Sequence, residues 1–215
     1  GDAPFSPDFI RARPALAKGL PSGELVVYRR ALEVEPLPGA EVLADVVVPY
    51  FNRTFQRYSS HRHTPSSGRT AYPGAVRHGR TVYFAHPLFA QYAANAPRWC
   101  KQLVLNAVDV LLADPAVRHD GPSTLLAAVN EQRAEKRWVL HLLHYVPERR
   151  GADFDVIEDV IPLFDLGLDL RAPGRVVSVT AVPRQHRLPF QQRAGRVTFR
   201  IPRLDGHQMI AIAFA

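Results

Sequence analysis

The clearest periodicity lies near the middle of the chain. Cys100, Leu103, Val104, Ala107, Leu111 and Leu112 recur at helical spacing, with Arg98, Lys101, Gln102, Asn106 and Asp109 on the other side, which predicts an amphipathic helix over residues 97–114. A shorter helix is predicted over 87–94, opened by Pro87 at its first turn. Upstream, apolar runs predict strands over 24–30, 42–48 and 80–85, the first two as possible neighbours. Pro4, Pro7, Pro14 and Pro21 rule out a long helix before them and suggest an extended arm over residues 1–23. After residue 120 the pattern is strands only: 123–130, 137–146, 153–161, 166–171, 175–182, 196–201 and 208–214, parted by turn signals such as RAPGR, QQRAGR and RLDGH. Such short, regularly spaced strands fit an antiparallel β-sandwich of immunoglobulin-like size. His141 and His144 fall on opposite faces of one strand, a poor metal pair.

Charge adds one feature to this outline. From Val46 to Ala107 there is no Asp or Glu, while Arg53, Arg57, Arg62, Arg69, Arg77, Arg80, Arg98 and Lys101 are all present. His61, His63, His78 and His86 lie in the same run. Cations without internal carboxylates must find anions elsewhere in the fold, in a partner or in a ligand. Overall, 27 basic and 20 acidic residues give a net charge of +7, nearly all of the cations being Arg. Arginine suits planar pairing with carboxylates and phosphates, but a GC-rich genome produces the same bias. The single Cys100 excludes an internal disulfide framework and a Cys-rich zinc site, and reads as a small buried hydrophobe.

Candidate chemistry is sparse. His61 and His63 share one side of an extended backbone, yet no carboxylate lies nearby to complete a zinc site, so no metal is expected. The acids Asp153, Asp155, Glu158, Asp159, Asp165 and Asp169 have the spacing of a solvated strand surface rather than of a glycosidase pair. Ser59, Ser60 and Ser66 neighbour the histidines without a nucleophile-elbow motif, and no phosphate-binding glycine loop is present. Arg and His interleaved with Phe51, Phe55, Tyr58 and Tyr72 loosely fit nucleic-acid binding, but they form no Lys-rich face and no known motif, so no nucleic-acid partner is expected. No apolar run reaches the roughly 18 residues that span a bilayer, so a soluble chain with no membrane partner is expected. Gly1 and the apolar ending IAIAFA read as cuts in a longer protein.

The succession PYFNRTFQRYSSHRHTP, GRTVYFAHPLFAQY, LVLNAVDVLL, VLHLLHYVPERRG and VIEDVIPLFDLGLDLR resembles the C-terminal region of glycoside hydrolases related to the β-galactosidases that carry a trimerisation domain. The likeness runs from about residue 40 to the end. It implies a parent protein with a TIM barrel, a flavodoxin-like or glutamine-amidotransferase-like middle domain and a small β domain. GRTVYFAHPLF would then be the middle domain's last strand and residues 97–114 its closing helix. The family's catalytic glutamates belong to the barrel, which this chain is too short to contain, so no catalytic residue carries over.

The expected fold class is therefore α+β: residues 1–120 as an incomplete α/β, flavodoxin-like remnant with a Pro-rich arm, and residues 121–215 as the sandwich. The expected function is a non-catalytic accessory and assembly region of a β-galactosidase-like hydrolase, without cofactor and forming a homo-oligomer. Its other partner would be the rest of the parent polypeptide. Alternatively, the stretch from Tyr50 to Tyr92 binds a carbohydrate or an anion through His61, Arg62, His63, Arg69, Tyr72 and His86. A groove lined by Tyr58, Tyr72, Trp99 or Trp138 would favour that reading, and three converging histidines would favour a free-standing enzyme.

Overall fold

A computed structural model describes residues 1–215, which divide into two compact units, Gly1–Ala113 and Asp114–Ala215. The first holds strands β1 (Asp8–Ala12), β2 (Leu25–Val27), β3 (Glu41–Pro49), β4 (Ser66–His78) and β5 (Thr81–Phe84), and helices α1 (Leu88–Asn95) and α2 (Arg98–Leu111). Its strands form one sheet in the order β2-β1-β3-β4-β5, and every pairing is antiparallel. This corrects the flavodoxin-like expectation, because a remnant of that fold would keep parallel strands joined by helical crossovers.

The Pro-rich arm contributes the strand that joins the sheet together. Between Pro7 and Pro14 the residues DFIRA are free of proline, and they pair with β2 on one side and β3 on the other. Strands β2 and β3 are therefore separated by β1 rather than adjacent. The segment expected to be a polar loop is largely β4, whose partner strand β3 runs alongside it from Arg77 to Ser66 with several register shifts. Ser, Gly and Pro there signal turns locally, but the ladder to β3 satisfies the backbone and the irregular register absorbs Pro73. At Gly74 an added Cβ would lie 3.1 Å from Ile10 Cγ1 and 3.2 Å from the Asp45 backbone, so a larger residue would require these close-packed strands to give by a few tenths of an ångström.

Strand β3 is almost continuously apolar because both its faces are covered. Leu43 and Ala44 belong to a core with Ile10, Leu16, Cys100 and Leu103, while Val46 joins Ala3, Ala31 and Tyr72 in another. Helix α2 buries Cys100, Leu103 and Ala107 as its periodicity predicts, and cover comes from β1, β3 and a 3-10 turn at Pro14–Leu16. Asn106 departs from the prediction by being buried: its amide donates to the carbonyls of Leu16 at 2.6 Å and Lys18 at 2.8 Å. Leu111 and Leu112, expected inside, are exposed as the helix ends at Leu111.

Burial pushes the Cys100 thiol up to about 12 from its ordinary 9.0. The folded form thus favours the protonated thiol, and the resulting stability is complete below about pH 9 and is lost as pH rises through about 12. Cys100 is expected to react with a maleimide at pH 8 only as fast as the first unit unfolds. Denaturant-independent, rapid labelling would contradict this placement.

The second unit contains β6 (Val117–His119), β7 (Leu125–Gln132), β8 (Arg137–His144), β9 (Glu148–Arg149), β10 (Asp155–Val156), β11 (Leu163–Arg171), β12 (Val176–Val182), β13 (His186–Arg187), β14 (Phe190–Arg193), β15 (Arg196–Leu204) and β16 (His207–Phe214). Two antiparallel sheets, β14-β15-β11-β6 and β13-β12-β16-β8-β7, share one core. Leu166, Leu168 and Leu170 with Val197, Phe199 and Ile201 face Leu140, Leu142, Ile210 and Ile212, each set at the period of two that a sandwich requires. This unit starts before residue 121 because β6 pairs with β11. Of the strand expected at 153–161 only Asp155–Val156 forms, and Ile157, Val160 and Ile161 remain about half exposed. His144 is buried between the Ile161 carbonyl and the Thr124 hydroxyl, whereas His141 stacks on His207. No helix is long and apolar enough to cross a membrane.

Candidate functional site

The acid-free stretch finds part of its anionic complement in the first unit. Arg77 faces Glu41, and His86, directly after β5, places Nε2 2.7 Å from Asp8 Oδ1 of β1. The Tyr72 hydroxyl, from β4, donates to Asp8 Oδ2 at 3.4 Å. Asp8 and His86 are essentially inaccessible. Burial, followed by the negative charge of Asp8, pushes the Tyr72 hydroxyl well above the ordinary tyrosine range. A sealed Asp–His–Tyr node cannot touch a substrate, and it ties β1, β4 and the segment after β5 together instead. Sequence reasoning missed Asp8 because it stands in the proline-rich arm, although the missing counter-charge already demanded such a residue.

The remaining candidates separate. His63 Nδ1 lies 2.9 Å from the Tyr28 hydroxyl and its ring meets Phe9 edge-on, while the Arg62 guanidinium sits 4.8 Å above the Tyr28 ring. His61 is exposed with Ser60 as its neighbour, and Arg69 is exposed on β4. The structure thus brings Tyr72 and His86 together and His63 and Arg62 together, but not His61 or Arg69. No three His, Cys, Asp or Glu side chains gather in a group able to hold a metal. Tyr58 is exposed and Tyr72 buried, so they do not share a groove wall.

At the start of the stretch a loop projects. Asn52 anchors its base by donating to the Pro4 carbonyl and accepting from the Ser6 N–H, and a turn from Thr54 to Arg57 closes its tip. Phe55 at that tip is 99% exposed, flanked by Arg53, Arg57 and the exposed Tyr50 and Tyr58. Elsewhere in the first unit, α1 and α2 enclose an apolar groove of about 240 Å³ lined by Phe89, Tyr92, Val104 and Leu105 among others.

The second unit carries a cleft that sequence reasoning did not single out. It has a volume of about 710 Å³ and is lined by Arg118, Asp120, Asp169, Gln191, Thr198 and Arg200, together with Gly167, Pro189 and Phe190. Gln191 opposes Thr198, Thr198 opposes Asp169 and Asp169 opposes Arg118, which makes one polar row across all four strands of that sheet. Arg200 is held by Asp165 at 2.5 Å and Asp120 at 3.3 Å, and Asp169 by Arg196 at 2.7 Å. The only advance signal was alternation along β11 and β15, which sets these side chains opposite the core-facing leucines.

No family model and no curated protein matches the chain significantly. Fold and sequence together do support a glycoside-hydrolase-related region. The solved structure behind that statement is the α-L-fucosidase isoenzyme 2 from Paenibacillus thiaminolyticus, 31% identical, matched over 100% of this chain with a TM-score of 0.91. The chain spans 33% of the length of that fucosidase. The comparison supports a glycoside-hydrolase-related domain and adds no support for the β-galactosidase likeness or a trimerisation domain.

Proposed function

We propose that the chain is a non-catalytic accessory and assembly region of a glycoside hydrolase acting on fucosides, with the catalytic barrel lying outside it. Support comes from its likeness to one third of a fucosidase and from the absence of a converging site among the residues of the basic stretch. The observation that carries assembly is the projecting loop, rigid at its base through Asn52 and presenting Phe55 fully to solvent. Phe89, Tyr92, Leu105, Val108 and Leu112 add exposed apolar surface on the two helices. Burying one such large side chain stabilises a contact by about 1.5–3 kcal/mol, so the loop and helices together supply enough driving force for self-association. The unpaired cations Arg53 and Arg57 beside Phe55 would meet carboxylates of the partner surface and set the approach.

The chain is therefore expected to be at least a dimer at micromolar concentration by multi-angle light scattering, with F55S/Y58S shifted toward the monomer. A 24 kDa species, unchanged by dilution or salt, would remove the assembly reading.

A further inference from the structure

We infer that the cleft on the four-stranded sheet of the second unit binds a neutral oligosaccharide. Its floor is shaped by Gly167, whose N–H donates to Asp120 Oδ1 at 2.7 Å. A Cβ at this position would come within 2.6 Å of Asp120 Oδ2 and 2.8 Å of Arg200 Nη1, so the missing side chain lets the Asp120–Arg200 pair close down over the strand. The row Gln191–Thr198–Asp169–Arg118 runs beside it, one residue from each strand. Along β11 and β15 the alternate residues Leu168 and Phe199 are buried in the core, so the cleft stands on a rigid support.

Charge selects the ligand class. Arg118 and Arg200 are balanced by Asp120 and Asp169, leaving no net charge in the cleft to attract a phosphate, a sulfate or a nucleic-acid backbone. Adjacent sugar hydroxyls each donate and accept, and they match guanidinium donors, carboxylate acceptors and the Gln191 amide and Thr198 hydroxyl, which do both. The ion pairs to Asp165 and Arg196 hold Arg200 and Asp169 before any ligand arrives, and Arg196 is itself tied to Asp114 and to the Pro115 carbonyl. Preorganisation of this kind lowers the entropy lost on binding. The volume of about 710 Å³ falls within the about 300–1,000 Å³ of small-molecule sites and suits more than one sugar ring.

This binding site does not rest on the assembly reading, which concerns the other unit and has its own readout. The test titrates the isotope-labelled chain with fucosyllactose, xylohexaose and mannohexaose at millimolar concentration, and separately with heparin hexasaccharide, following amide shifts. Saturable changes with at least one neutral sugar, confined to β6, β11, β14 and β15 and weakened about tenfold in the surface variant Q191A/T198V, are expected. Both positions are exposed, so this variant should retain the wild-type spectrum elsewhere. No saturable change with any neutral sugar overturns the inference. So does binding of heparin alone, or binding that maps to residues 50–92 or is unaffected by Q191A/T198V.

Discussion

The chain by itself is expected to release no product from chromogenic fucosides, galactosides or glucosides above background. Glycosidases accelerate hydrolysis by about a million-fold or more, and they do so with two carboxyl groups facing each other across the scissile bond. Here four of the six acids of the strand surface are held by arginines. Asp155 faces Arg149, Glu158 faces Arg150, Asp165 faces Arg200 and Asp169 faces Arg196. Asp8, the one deeply buried carboxylate, is sealed against His86 and Tyr72. Asp120 and Asp169 share the polar cleft, but an arginine holds each of them. Saturable turnover that persists through repurification and disappears in D169N or E158Q would show that the chain carries its own active site.

Replacing Asp8 with Ala is expected to destabilise the first unit by about 3–5 kcal/mol, the cost of removing one partner from a buried acid–base pair. His86 Nδ1 has no hydrogen-bond partner, so Asp8 is the only group its ring nitrogens engage, and the variant leaves both nitrogens unsatisfied in the core. Typical domains are stable by only about 5–15 kcal/mol, so this loss consumes a large part of the total. Three companion variants separate the causes. Y72F should cost about 0.5–1.5 kcal/mol, since it removes a single long hydrogen bond. D8N retains an oxygen acceptor for His86 and should lose less than D8A. The apolar pair D8V/H86L should recover much of the loss, because well-packed apolar replacements of buried ion pairs are often tolerated. The chain has two tryptophans, Trp99 in α2 and Trp138 in β8, so urea unfolding followed by fluorescence in a W138F background reports the first unit. A D8A midpoint equal to that of the parent would show that the node contributes nothing.

How much of this was legible beforehand differs between the units. In the second, the recurrence at 166, 168 and 170 and at 197, 199 and 201 specifies which face of each strand is buried, so the sandwich could be read directly. Strand β14 was missed because QQR carries turn-like polar residues, yet it pairs from Phe190 to Arg193 with β15 at the sheet edge, where one polar face meets water. In the first unit, the amphipathic stripe of α2 placed Cys100, Leu103 and Ala107 inside, but the same rule put Asn106 outside. Asn106 is buried because it caps the carbonyls of Leu16 and Lys18, distant in sequence, and no local period encodes that demand.

The sequence by itself determined the helix and strand periods, the sandwich core of the second unit, and that the cations between Val46 and Ala107 needed anions from elsewhere. Tertiary structure alone decided which anions two groups of that stretch meet, Glu41 for Arg77 and Asp8 for His86. It brought Asp8 out of the proline-rich arm to His86, 78 residues away, by inserting β1 between β2 and β3. It also aligned Gln191, Thr198, Asp169 and Arg118 from four separate strands into one row. Local patterns record which face of an element is apolar, because burial acts on every residue of that face. Strand order and cross-strand register depend on contacts between distant segments, which leave no period along the chain.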